Sequence, residues 1–298
     1  MVCPILSLCI PTNGVIEWVF PVLDSIYKDK PEESCFEVVI EDNGNNTEFK
    51  DKILEYQKKH SNIKYFKSSS QGFLCQIDCF KHAKGEFVKF VNHRARLADG
   101  ALDYLVKFAD EHKSGKPVVF FSNGQLERAH CHSFDSFVSS LKYWSSWSGG
   151  LAFWKDDIEL LSGNDKYNEL FPHTDILFLR RDAKEYIIDD SILLSEIEAG
   201  HGAKGNYNLF KAFAVEYLSI INDLYRDGFV TVETFLAVKE SLLGFLANCY
   251  IDFIILKHPA SYSFDSIKEN IRVFYSWQQF KVRIANRFIA RGVKKIIN

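Results

Sequence analysis

The strongest constraint on this chain is an alternation repeated four times before residue 100. Short apolar runs at 5–10, 36–40, 63–66 and 87–91 each stop at a polar tip, and three of them run straight into a segment with helical spacing. The first helix shows Trp18, Val22 and Ile26 at i, i+4 intervals, and Thr47 is placed to cap the second, which runs to about His60. The stretch Gln71–Leu102, QGFLCQIDCFKHAKGEFVKFVNHRARLADGAL, shows one unit whole: helix, Lys-Gly turn, buried strand, polar tip and a second helix. Strands alternating with helices require right-handed crossovers and a parallel sheet, and such sheets bind ligands beyond the carboxyl ends of their strands. The expected fold is therefore α/β with a mostly parallel central sheet. Its working edge is formed by Pro11-Thr12-Asn13, Glu41-Asp42-Asn43, Ser68–Gly72 and Asn92-His93-Arg94.

A chain of 298 residues is long for one domain and short for three. A main domain over 1–200 and a helical appendage over 201–298 are expected. With 36 Lys+Arg against 39 Asp+Glu the net charge is -3, and no overall basic excess argues for a nucleic-acid partner. Seven scattered cysteines suit reduced thiols in a cytoplasmic protein. The start, MVCPILSLCIP, lacks a basic leader region, and no window approaches the roughly 18 apolar residues of a spanning helix. His130-Cys131-His132 hints at zinc, but no Cys-x-x-Cys supports it.

The four tips carry a resemblance. PILSLCIPTNG, then FEVVIEDNG, a strand, Ser-Gln-Gly, a helix, and AKGEFVKFVNHRARLADGAL together resemble the N-terminal half of family 2 glycosyltransferases of the GT-A fold, of the bacterial surface-glycan type. Trp147-Ser-Gly-Gly-Leu-Ala-Phe-Trp154 is similar to that family's acceptor-side strand. Pro172-His173-Thr174-Asp175 falls where the family has its Glu-Asp pair. The likeness covers roughly 3–180. It implies inverting transfer of a sugar from a nucleotide-diphosphate donor, UDP- or similar, to a glycan or lipid-linked acceptor such as a lipopolysaccharide or capsule precursor. Pro11, Thr12, Asn13, Glu41, Asp42, Gln71, Gly72, Gln76, Asn92 and His93 would then surround the donor, and Trp147, Gly149, Gly150 and Trp154 the acceptor, with Trp144 a further stacking candidate. Asp42 alternatively only stabilises its own turn, and Gln71-Gly72 only opens a helix.

The sequence departs from this family where the family binds its metal. Asn92-His93-Arg94 stands on the Asp-x-Asp positions, so the Mn²⁺ or Mg²⁺ that the resemblance brings loses its carboxylates, and no metal ligand is assigned. One reading is that the Arg94 guanidinium faces the diphosphate in the cation's place. A second is a catalytically degenerate GT-A protein that binds a nucleotide sugar, a glycan or a partner. A third is a shifted register, with Asp99 as a helix N-cap. Asp175 is the candidate base, His173 an auxiliary, and Asp156-Asp157 the competing pair, which otherwise forms the acidic first turn of a helix.

Beyond residue 200 three long helices are expected over 206–226, 232–257 and 266–298. In the last, Arg283, Arg287, Arg291 and Lys294 share one face, while Val282, Ala285, Ile289, Val293 and Ile296 share the other. Such a helix either lies on an anionic membrane surface or packs its apolar stripe on the protein. The lipid-linked acceptors implied by the resemblance favour the membrane, making the expected location cytoplasmic and peripheral on the inner membrane face.

Overall fold

A computed structural model describes residues 3–162, 166–197 and 205–297. Two compact units emerge, one of Met1–Phe137 with Trp144–Glu198, the other of Val138–Tyr143 with Ala199–Asn298.

The first unit begins with four strand-helix repeats: β1 (Leu6–Thr12), α1 (Ile16–Tyr27), β2 (Phe36–Asp42), α2 (Thr47–Lys59), β3 (Ile63–Lys67), α3 (Cys75–Lys81) and β4 (Phe87–Phe90). After these come β5 (Ala95–Leu97), α4 (Ala101–His112), β6 (Val118–Phe121), β7 (Ala129–Cys131) and the start of α5 (Phe134–Leu141), whose residues from Val138 on group with the second unit. The unit closes with β8 (Leu151–Trp154), α6 (Asp157–Ser162), α7 (Pro172–Leu177), β9 (Tyr186–Asp189) and β10 (Leu194–Glu196). Eight strands form one sheet in the order β3-β2-β1-β4-β8-β6-β9-β7. The first four are mutually parallel and β9 is parallel to β6, whereas β8 and β7 run against their neighbours. The mostly parallel α/β sheet is thus present.

Strands β1 and β2 continue past their apolar runs because the ladder does: Pro11 pairs with Glu41 and Thr12 with Asp42. Those two tips are strand ends held in register. Beneath them, Leu6, Leu8, Ile10, Val38 and Ile40 bury against Val19, Val22, Leu23 and Ile26 of α1. Farther along the sheet, the Phe87 ring meets Phe108 at 5.6 Å and Trp154 at 4.7 Å. Complete burial of each such side chain is worth about 1.5–3 kcal/mol.

Two caps differ from expectation. Asn46, not Thr47, caps α2, its Oδ1 accepting from the Phe49 amide at 3.2 Å. Asp99 caps nothing. The chain enters α4 through Gly100 at φ +75°, and Asp99 pairs instead with Lys28 at 2.9 Å on the surface. The small two-stranded sheet of β5 and β10 explains why, since it holds the segment before α4 extended.

The second unit is helical. α8 (Leu209–Lys211) passes through a π-helical segment, Ala212–Tyr217, into α9 (Leu218–Arg226); α10 (Val232–Cys249) continues as a second such segment, Tyr250–Ile255. The third expected helix is two, α11 (Ile267–Ile271) and α12 (Trp277–Ile297). More consequential is the orientation of α12. Its basic face is turned onto α10 and the segment that follows: Arg283 pairs with Glu240, Arg291 makes a two-pronged contact to Asp252 at 2.5 and 3.1 Å, and Arg287 lies over Gly244. Val282, Ala285 and Ile289 of the apolar face are exposed. The side chains of Lys294, Val293 and Ile296 lie outside the described residues. The expectation of a whole basic face offered to a membrane is corrected, since acidic partners within the same unit draw Arg283 and Arg291 inward while Arg287 stays exposed. No helix among the described residues is long and apolar enough to cross a membrane.

Candidate functional site

The carboxyl ends of β1, β2, β3 and β4 lie along one edge, and the reversed strand β8 starts at that same edge. Side-chain contacts bind these ends together. Thr12 Oγ1 accepts from the Gly14 amide at 3.1 Å and lies 3.0 Å from His93 Nδ1. The Asn43 amide donates to the Thr12 carbonyl at 2.9 Å, and Asn43 Nδ2 reaches the carbonyls of Ser70 and Gly72 at 3.3 Å each. The Trp18 ring, on the first turns of α1, lies 5.2 Å from the His93 ring and 5.3 Å from the Arg94 guanidinium carbon. Thr12, Asn43, His93 and Arg94 are therefore joined at one end of the sheet, with Gly72 tied to Asn43 and Asp42 paired in register with Thr12.

The chemistry of the individual residues is more constrained than the sequence suggests. Asp42 is buried and engaged on both oxygens: Oδ1 accepts from the Gly44 amide at 2.7 Å, and Oδ2 accepts from the Tyr65 hydroxyl at 2.9 Å with Lys67 Nζ at 3.6 Å. The turn-stabilising reading of Asp42 is thus realised, whatever else it binds. Asn92 Oδ1 accepts from the Arg94 amide at 3.0 Å, so the carbonyl oxygen offered for a cation serves its own turn. Burial, with the Arg94 charge beside it, pushes the His93 imidazole down to about 3 and keeps it neutral. The Arg94 carbonyl accepts from the Ile197 amide at 2.8 Å, which fixes the backbone just beyond the tip.

On the other side of the edge, the Trp147–Gly150 turn leads into β8. Its glycines are there for close approach: a Cβ on Gly149 would sit 2.4 Å from the Trp147 ring, and one on Gly150 2.2 Å from the Phe120 ring. Helix α7 grips the segment before it, with Thr174 Oγ1 donating to the Ser145 carbonyl at 2.9 Å and His173 Nε2 to the Ser146 carbonyl at 2.8 Å. His173 is consequently buried in a helix and not solvated on a loop. Burial pushes it down to about 4, and with its proton on Nε2 the bare Nδ1 has no partner among the described residues. Asp175 sits inside α7 and accepts from the Asn168 amide at 2.6 Å. Burial pushes its carboxyl up to about 6, against the pull of that amide and of Arg181.

Several expected site residues fall elsewhere. Glu41 alternates to the opposite face from Asp42, where it meets His82 of the α3 end at 2.9 Å, and burial raises its carboxyl above the usual range. Gln76 is buried on α3 with its Oε1 unpartnered among the described residues. The segment from Gln71 opens as a single tight turn, Gly72–Leu74, before a helix of seven residues. Trp154 cannot line an acceptor site, because it is fully buried and its Nε1 donates to the Pro117 carbonyl at 2.8 Å. Gly149 and Gly150 are also buried and serve packing. Asp157 is held by the Trp154 amide at 3.1 Å and Arg180 at 3.6 Å, so the competing acidic pair has a structural task. His130 pairs with Glu185 while Cys131 turns inward, and among the described residues no group of three ligating side chains forms there.

No family model and no curated protein matches the sequence. Solved structures do match in fold. The crystal structure of S. aureus TarS aligns with a TM-score of 0.53 at 19% identity over 83% of this chain, which spans only 44% of that one. TarS 1-349 in complex with UDP-GlcNAc aligns at 0.52 and 15% identity, over 90% of this chain and 89% of that one. The mannosyltransferase PcManGT from Pyrobaculum calidifontis, in complex with GDP-Man and Mn²⁺, aligns at 0.53 and 16% identity, over 96% and 87%. The fold is GT-A.

A divalent cation at the fourth tip would need hard oxygen donors. This chain offers an asparagine whose oxygen is already bound, a histidine tied to Thr12 and an arginine. Among the described residues no three His, Cys, Asp or Glu side chains gather closely enough to hold a metal. The residues at the tip do not fit the ion. The contributors that the sequence reading missed are Trp18, Tyr65 and Lys89; Trp18 was read only as part of an apolar stripe, and Lys89 only as part of a strand.

Proposed function

We propose that this chain is a glycosyltransferase that moves a sugar from a nucleotide-diphosphate donor to a surface-glycan precursor, inverting the anomeric centre. The observation that carries the reading is the joining of the Thr12, Asn43 and His93–Arg94 tips along one edge of a GT-A sheet. A sheet edge of this kind suits a nucleotide, because strand-end polar groups meet base and ribose while a cation meets the diphosphate. Arg94 supplies that cation, steadied by the Trp18 face, and stabilises the charge that develops on the departing diphosphate. Asp175 takes the proton of the attacking acceptor hydroxyl. Burial raises its carboxyl toward neutrality, as proton exchange at the working pH requires. The acceptor we propose is lipid-linked. The exposed Val282, Ala285 and Ile289 of α12, with Lys281 beside them, form the surface that meets the inner membrane face.

One observation favours a second reading, a nucleotide-sugar or glycan binding module without turnover. Asp42 has both oxygens occupied inside the fold. A panel of nucleotide sugars tested for thermal shift and for hydrolysis, with and without Mn²⁺, separates the two. Shift with turnover supports the enzyme, shift without turnover the module, and neither response removes both.

A further inference from the structure

The middle of β4 reads Phe-Val-Lys-Phe, and its lysine is anomalous. Lys89 is fully buried in the centre of the eight-stranded sheet, between Leu8 of β1 and Ala152 of β8 in register, with the Phe121 ring 5.7 Å from its Nζ. An ammonium placed there costs several kcal/mol unless every N–H finds an acceptor. Each one does: Nζ donates to the carbonyls of Phe90 at 2.9 Å, Gly149 at 2.5 Å and Leu151 at 3.3 Å. Burial lowers its amine to about 7, while three carbonyls favour the ammonium.

The acceptors explain the exception. One is Phe90, the last residue of the strand that leads to Asn92-His93-Arg94; the other two are Gly149, in the turn that enters β8, and Leu151, the first residue of β8. That turn is compressed against the Trp147 and Phe120 rings, and His173 and Thr174 of α7 hold the segment before it from the other side. We propose that Lys89 is a positioning residue that sets the spacing between the Asn92–Arg94 tip and the Trp147–Leu151 segment. A methionine would fill the same volume and satisfy none of the carbonyls. The consequence for turnover rests on the glycosyltransferase reading; the consequence for the turn does not.

The test is Lys89→Met, compared with the wild-type chain by amide hydrogen exchange, UDP-induced thermal shift and sugar transfer. The expected result is exchange at least ~10-fold faster in residues 147–151 with β1 and β2 unchanged, a retained UDP shift, and transfer reduced at least ~10-fold with acceptor KM raised. Unchanged exchange across 147–151 in a folded variant overturns the proposal, whatever the activity. If wild type transfers no sugar, the functional reading falls while the exchange result still decides the role of Lys89. Should the variant not fold, ¹⁵N-lysine spectra of wild type decide instead: solvent-protected Nζ protons on one buried lysine support the clamp, and their absence refutes it.

Discussion

Arginine occurs in two settings in this molecule, and the contrast is instructive. At the fourth tip of the sheet unit, Arg94 sits where a parallel strand ends, its backbone fixed by Asn92 and Ile197 and its guanidinium over Trp18. On α12 of the helical unit, Arg283 and Arg291 lie on Glu240 and Asp252, and Arg287 covers Gly244. Strand topology alone fixes which residues occupy an edge, because every parallel strand must finish there. A helix has no comparable rule. Its face is chosen by partners elsewhere in the chain, and a charged stripe turns inward when that partner is acidic.

The largest effect that would sharpen this contrast is Asp175→Asn, expected to lower transfer by about 10²–10⁴-fold, the usual contribution of a positioned base. In wild type the rate should rise with pH through about 6 as the carboxyl ionises, and the variant should lack that limb. The stability sign is opposite. The folded chain holds this proton more tightly than the unfolded one, so stability falls as pH rises from the ordinary carboxylate range through about 6, and urea titrations of the variant should lose that slope. Next comes Trp154→Ala, which should destabilise the sheet unit by about 3–5 kcal/mol. A merely local loss of acceptor affinity with an unchanged melting midpoint would restore it to the acceptor wall.

Arg94→Ala should reduce turnover by about 10²–10³-fold, with added Mn²⁺ failing to rescue it and chelator failing to abolish wild-type transfer. Complete loss of wild-type turnover in chelator would instead align the tip with a metal-dependent site. The smallest effect is Arg291→Ala. Its ion pair with Asp252 is partly exposed, so about 0.5–1 kcal/mol is expected, read as faster amide exchange in α12. No change there would break the comparison, since the inward basic face would then be incidental.

The parallel half was legible because period and punctuation agreed. Apolar runs stopped just short of Thr12, Asp42 and Asn92, and the topology assembled those ends without any knowledge of side-chain contacts. Legibility failed where alternation or a distant partner decided. Glu41 looked like Asp42's companion, but adjacent strand residues face opposite sides, and His82 of a later helix drew it away. Trp154 resembled an acceptor platform by sequence position, yet its strand lies between β4 and β6, where both faces are covered. Asp99 had a capping position and no capping geometry, because β10, almost a hundred residues later, straightens the chain before α4. Lys89 was invisible for the same reason, since its acceptors lie about sixty residues downstream.

The reversal of β8 has a consequence for variation. A parallel strand in that place would send its carboxyl end to the edge where β1 to β4 finish, and the chain would leave from there; as built, the chain arrives there instead. Changes in the segment feeding into Trp147 would remodel one bank while the opposite bank, fed by outgoing segments, keeps its shape. On the transferase reading proposed above, the incoming stretch is where recognition of the acceptor would diversify while the strand ends proposed to meet the donor stay in place.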